Sequence, residues 1–139
     1  MLCEFLAAAE LDAIGVFGYS AEEGTEAARL DERHPPEEIA VRRARVADLA
    51  DELVSQRAEA RIGEQVQVLL EEVAGEILGR AAHQGPEVDG TVRLITADRL
   101  KPGDLVDAVV TETDGADLVA STILDQRMPS ISEWELSSP

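Results

Sequence analysis

The sequence predicts a mostly β protein with helices, in which a small five-stranded barrel follows a long helix and the helix–strand end of an α/β unit. Three observations carry that expectation. Five short runs of β-branched and aliphatic residues crowd the region after Arg61, separated by glycine- and proline-bearing turns. An amphipathic helical period fills the stretch before them. The opening thirty residues read as a helix, a strand and a polar glycine loop, half of an α/β repeat that cannot cover both of its faces without neighbours.

The elements follow in order. Leu2, Phe5, Leu6 and Ala9 share one helical face, and Ala13 to Tyr19 (AIGVFGY) has the composition of a short buried strand. The loop Tyr19-Ser20-Ala21-Glu22-Glu23-Gly24-Thr25 comes next. Pro35 and Pro36 followed by Glu37 and Glu38 announce a helix over 36–60, because proline tolerates the first turn and carboxylates suit the positive end of the helix dipole. Its inward positions are Ile39, Val46, Leu49, Ala50 and Leu53, while Arg42, Arg43, Asp48, Asp51, Glu52 and Arg57 take the wet side. The strands are expected at 65–73, 76–82, 90–96, 103–113 and 116–122, turned by Gly75, Gly90, Pro102-Gly103 and Asp114-Gly115. Closing them into a barrel removes the sheet edges. The domain boundaries are thus 1–30, a linker helix 31–60, a barrel 61–124 and a flexible tail 125–139 docked at most through Trp134.

Composition narrows the function. Among 139 residues there are 29 acids and 12 bases, a net charge of −17 that repels phosphate backbones and membrane surfaces and attracts basic partners. Aromatic residues make up 3%, so aliphatic side chains and alanine must fill the core. Cys3 is the one cysteine, which excludes a disulfide framework and any multi-thiolate metal site built from this chain alone. No apolar run reaches the ~20 residues that span a bilayer, and the start has no basic leader; the reading is cytoplasmic.

Local catalytic patterns are weak. Around Ser20, Glu22 stands where a nucleophile elbow needs its second glycine. His34 and His83 are far apart, without metal-ligand spacing, and read as solvated loop histidines. Glu22 and Glu23 are adjacent and need not face one another, and Cys3 reads as a small packing residue. The other dense constellation is the loop from Gly79 to Gly90 (GRAAHQGPEVDG). Either Glu87 and Asp89 cap its own backbone amides, or they present charge to a partner, with Arg80 tied into them.

Together these two constellations, with the helix between them, resemble the radical-SAM methylthiotransferases, in particular their RimO-like branch. Tyr19 to Thr25 matches that family's YSxE(E/D)GT segment at the end of the radical-SAM domain, and Pro36-Glu37-Glu38 matches the turn into its long helix. Gly79-Arg80 and Pro86-Glu87-Val88-Asp89-Gly90 match a loop of its TRAM domain, an OB-like barrel, and Asp117 to Ala120 looks like the closing strand. Ala81 and Gly85 depart from the pattern. The resemblance implies that residues 1–30 finish a radical-SAM barrel whose earlier strands are not in this chain. It implies a parent transferase that uses two 4Fe-4S clusters and S-adenosylmethionine to methylthiolate an aspartate of ribosomal protein twelve of the small subunit. This chain itself is expected to hold no cofactor and no catalytic residue. The implied active-site-facing loop is Tyr19, Ser20, Glu22, Glu23, Gly24 and Thr25; the substrate-recognition residues are Arg80, Glu87 and Asp89. Residues 61–124 carry 12 acids and 5 bases, a net −7, which suits a basic ribosomal protein better than RNA. A free-standing TRAM adaptor or RNA-binding module, a tRNA methylthiotransferase fragment, and a truncated product without function are the alternatives.

Overall fold

The computed structural model describes residues 1–30 and 33–123; the expected tail at 125–139 lies outside them. Helix α1 (Leu2–Ala9) is followed by irregular chain and a single 3₁₀ turn at Ala27–Arg29, then by α2 (Pro36–Glu59). Strands β1 (Gln65–Ala74), β2 (Glu76–Ala81), β3 (Val92–Ile95), β4 (Leu105–Asp114) and β5 (Asp117–Thr122) complete the described chain. They form a closed barrel in the order β1-β2-β3-β5-β4, with β3 and β5 parallel and every other pair antiparallel.

Every strand of the closed barrel serves two ladders, and the two ten-residue strands β1 and β4 do so by bending. The two pair with one another over Gln65–Leu69 and Leu105–Val109, then bend apart, β1 toward β2 and β4 toward β5. Each bend is a register shift just past a buried residue, between Leu70 and Glu72 in β1 and between Val110 and Glu112 in β4. An inserted residue of this kind increases local twist and turns the strand around the barrel. Period-two burial fills the interior with Val68, Leu70, Val92, Leu94, Ala108, Val110, Leu118 and Ala120, and Ala58 of α2 plugs the cluster. Gly79 is obligatory inside β2, opposite Leu70, because a Cβ there would run into the Leu69 carbonyl oxygen.

Helix α2 begins at Pro36 with Glu37 and Glu38 in its first turn, as its sequence requires. Of its expected inward positions Ala50 is buried, and Ile39, Val46, Leu49 and Leu53 are half-buried. Its exit is locked to the barrel, since the Gly63 N–H donates to the Val110 carbonyl at 2.8 Å and the Val110 N–H to that of Glu64 at 3.0 Å.

One element differs from expectation. Ala13–Tyr19 forms no strand. A strand needs a neighbour for its ladder, and among the described residues all five strands are committed to the barrel. Within α1 only Leu6 is buried, so its apolar face is covered in part.

Candidate recognition surface

The loop that joins β2 to β3 is braced from inside by a residue the sequence reading did not single out. Gln84 is 4% exposed; its Oε1 accepts the Ala81 N–H at 3.0 Å and its Nε2 donates to the Thr91 carbonyl at 3.3 Å. That arrangement satisfies a buried amide at both ends. A glutamine inside a polar loop carries no periodic signal, which is why its burial was not legible. Asp89 accepts the Gly85 N–H at 2.9 Å through Oδ2, so this carboxylate caps its own loop. Glu87 adopts a left-handed φ of 62° and is exposed, with no hydrogen bond or ion pair among the described residues.

Arg80 is not tied to Glu87 or Asp89 as expected. Its Nε donates to Glu71 Oε1 at 3.0 Å. The β1–β2 register explains this: Leu69 stands opposite Arg80, and the bulge just beyond it brings Glu71 round to the guanidinium. Arg80, Glu87 and Asp89 therefore have three different employments: a cross-strand pair, an outward carboxylate and an internal cap.

The segment matched to the active-site-facing loop is a small capped turn. The Thr25 hydroxyl donates to the Glu22 carbonyl at 2.8 Å and accepts the Ala28 N–H at 3.2 Å, while Gly24 supplies a φ of 85°. Tyr19, Ser20, Glu22 and Glu23 are exposed around it. The structure does not bring this turn and the Gly79–Gly90 loop into one hydrogen-bonded site. Residues Ala13, Ile14 and Gly15 do border, with Val88 and Asp89, an open hollow of about 310 Å³.

A polar junction joins the opening segment to the barrel. Asp12 Oδ1 accepts from Arg61 at 2.7 Å and from Arg57 at 3.2 Å, and Arg61 also reaches both oxygens of Glu64 at 3.1 Å. Burial opposes the charge on Asp12, but the bond and charge of Arg61, with His83 and Arg57, outweigh it and hold the carboxyl below its ordinary value. His83 is half-buried rather than a solvated loop histidine. Burial first, and then Arg61, push its imidazole below the usual range. His34 fits the expectation better: it is exposed, with its ring paired to Glu38, which also binds Arg42.

Residues 62–123 match the model of the TRAM domain family, and the closed five-stranded barrel lies within them. The described chain is a closed five-stranded barrel, similar over residues 62–123 to TRAM domains, carried on a long helix. The chain is 53% identical over 120 residues to the "Ribosomal protein uS12 methylthiotransferase RimO" of Cutibacterium acnes, 55% over 124 residues to that of a Nocardioides species, and 51% over 148 residues to that of Frankia casuarinae. These likenesses cover 86–94% of this chain but only about a quarter of each relative's length. Among the described residues, no helix is long and apolar enough to cross a membrane and no group of three or more His, Cys, Asp or Glu side chains is placed to hold a metal ion.

Proposed function

We propose that this chain is the substrate-recognition portion of a methylthiotransferase acting on ribosomal protein uS12, in the cytoplasm where ribosomes are modified. The observation that carries the reading is the 51–55% identity to relatives of that name over most of the chain. The barrel's charge supports it: 12 acids against 5 bases over 61–124 favour a basic protein and oppose phosphate contacts, each of which relies on Lys or Arg. In this reading residues 1–30 complete a catalytic α/β barrel, 31–60 link it and 61–124 bind substrate. The Tyr19–Thr25 turn faces the active site, where loops at strand C-termini build such sites. Glu87 meets the partner, while Arg80 and Asp89 hold the recognition loop in shape.

The parent family's chemistry draws on iron–sulfur clusters that activate S-adenosylmethionine, and each cluster needs several thiolates. Cys3 is the one cysteine, so the residues present do not fit such a cluster and no catalytic step is assigned to this chain.

The test is a titration of the full chain against uS12 from Cutibacterium acnes and against tRNA, at about 50 mM and about 200 mM salt. Binding to uS12 is expected to be at least ~10-fold tighter than to tRNA, and to weaken as salt screens the long-range attraction. Glu87→Gln is expected to weaken uS12 binding about twofold, as befits an exposed rim charge. Tighter binding to tRNA would move the chain to the tRNA-modifying alternative.

A further inference from the structure

Little apolar contact holds the opening segment to the rest of the chain. Leu6 is its one buried residue, a hollow of about 200 Å³ lies between Leu6, Ala7 and Leu11 and the α2 residues Leu53 and Arg57, and Ala13–Tyr19 joins no ladder. The polar junction at Asp12 is therefore a main attachment. It gathers Asp12 from the opening segment, Arg57 from α2, and Arg61 and Glu64 from the turn into β1. His83 joins it from the β2–β3 loop: Ala81 stands opposite Val68, so the chain past Ala81 returns toward the start of β1, and His83 feels the charges of all four groups. Glu10, beside Arg57 at the hollow, is the remaining charged neighbour. Arg61 is 14% exposed and spends its outer nitrogens on Asp12 and Glu64, while its Nε is buried without a hydrogen-bond partner among the described residues. A guanidinium cannot shed that proton, and a buried N–H without an acceptor is unfavourable. The ring nitrogens of His83 take part in none of the junction's bonds, and a neutral imidazole offers one lone pair.

We propose that this junction is a proton-sensitive latch between the opening segment and the barrel. Neutral His83, by rotation of its ring, accepts the Arg61 Nε–H. A proton on His83 removes that acceptor and sets a third cation beside Arg57 and Arg61, which loosens Arg61 from Asp12. Burial first, and then Arg61, oppose that proton more than Asp12 and Glu64 favour it, so the imidazole lies below its ordinary 6.5. The closed latch is thus favoured above 6.5 and loses ground as pH falls below it, whereas Asp12 keeps its charge until the pH falls below 3.8. Opening that returns His83 to its ordinary value gains at most about tenfold at about pH 5.5, where such a group is about ten parts protonated to one neutral. Asp12 directly precedes Ala13, Ile14 and Gly15, which border the hollow shared with Val88 and Asp89, so the latch sets how the opening segment lies against the Gly79–Gly90 loop. That consequence rests on the reading that the loop recognises substrate, while the latch itself is tested without substrate.

The experiment follows the Arg61 Nε–H of the full chain by nuclear magnetic resonance, and the placement of α1 by the broadening that a nitroxide on Cys3 produces at the amides of Leu53 to Ala60. Relative to a free guanidinium at the same pH, protection of the Nε–H is expected to fall between about twofold and about tenfold from about pH 7.5 to about pH 5.5, and the broadening to weaken with it. His83→Gln keeps an acceptor and does not titrate, so its protection is expected to stay constant over that range. His83→Lys, a permanent cation, is expected to show the low-pH behaviour at both values. His34→Gln is expected to leave the wild-type response intact, since that ring pairs with Glu38 away from the junction. Unchanged amide shifts in β1 and β4 check that each variant keeps its barrel. A wild type without the response, a response that survives His83→Gln, or one that disappears in His34→Gln would overturn the latch. None of these outcomes depends on whether the chain binds uS12, so failure of the latch and failure of the substrate reading are separately visible.

Discussion

The barrel and the opening thirty residues have similar aliphatic content and opposite fates. In the barrel Val68, Leu70, Val92, Val110 and Leu118 are all below 2% exposed, enclosed by strands that pair all the way round. In the opening segment Leu6 is the one buried residue, and Leu2, Phe5, Phe17, Tyr19 and Leu30 lie between half and almost fully exposed. The difference is one of closure. A sheet that returns to its first strand satisfies its backbone and its side chains together, whereas a helix and a would-be strand without a second layer satisfy neither. The uncovered apolar residues fit the proposal that this segment completes a larger α/β unit.

Hydrogen exchange gives the widest separation between the regions. Amides at the centres of β1 and β4 are expected to exchange with global unfolding, several orders of magnitude more slowly than those of Ile14 to Phe17, which make no backbone hydrogen bonds among the described residues. Strong protection throughout Ile14–Phe17 in the monomer would break the contrast.

Truncation separates them next. Leu118→Ala removes a side chain that is 1% exposed and is expected to cost about 2–5 kcal/mol in urea unfolding, while Phe17→Ala, at 89% exposed, is expected to stay within about 0.5 kcal/mol. A large loss from Phe17→Ala would mean that the segment folds cooperatively with the barrel.

The smallest effect sits where the two regions meet. Asp12→Asn weakens the contacts to Arg61 and Arg57, and with Asp12 still 29% exposed about 0.5–1.5 kcal/mol is expected after allowance for solvent screening. Because the folded carboxyl lies below its ordinary 3.8, the wild-type advantage is full above that pH and lost as pH falls through the lower folded value. Unfolding curves of the two proteins should converge progressively as the pH falls below 3.8, and a gap that stays constant through the acid range would refute the assignment.

How much of this was legible before folding differs from residue to residue. The Gly79-Arg80 step was visible as a motif, yet its reason is a backbone contact with Leu69 ten positions away. The partner of Arg80 was misjudged because only the carboxylates of its own loop were weighed, whereas the bulge in β1 delivers Glu71, which is as far from it in sequence as Asp89. His83 gave no sign of burial, since what half-covers it comes from folding and the charges that act on it include Asp12, at the other end of the chain.

By itself the sequence determined the five strands, the long helix, the acidity of the barrel and the lack of thiolates, because alternation, turn chemistry and charge are properties of neighbouring residues. Only the tertiary structure decided that β3 runs parallel to β5, that β1 and β4 shift register and bend around the barrel, that Gln84 is interior, and that Ala13–Tyr19 stays without a ladder. Those outcomes depend on which distant backbone is available to pair, and a strand's local pattern fixes which way its side chains point without naming its partner.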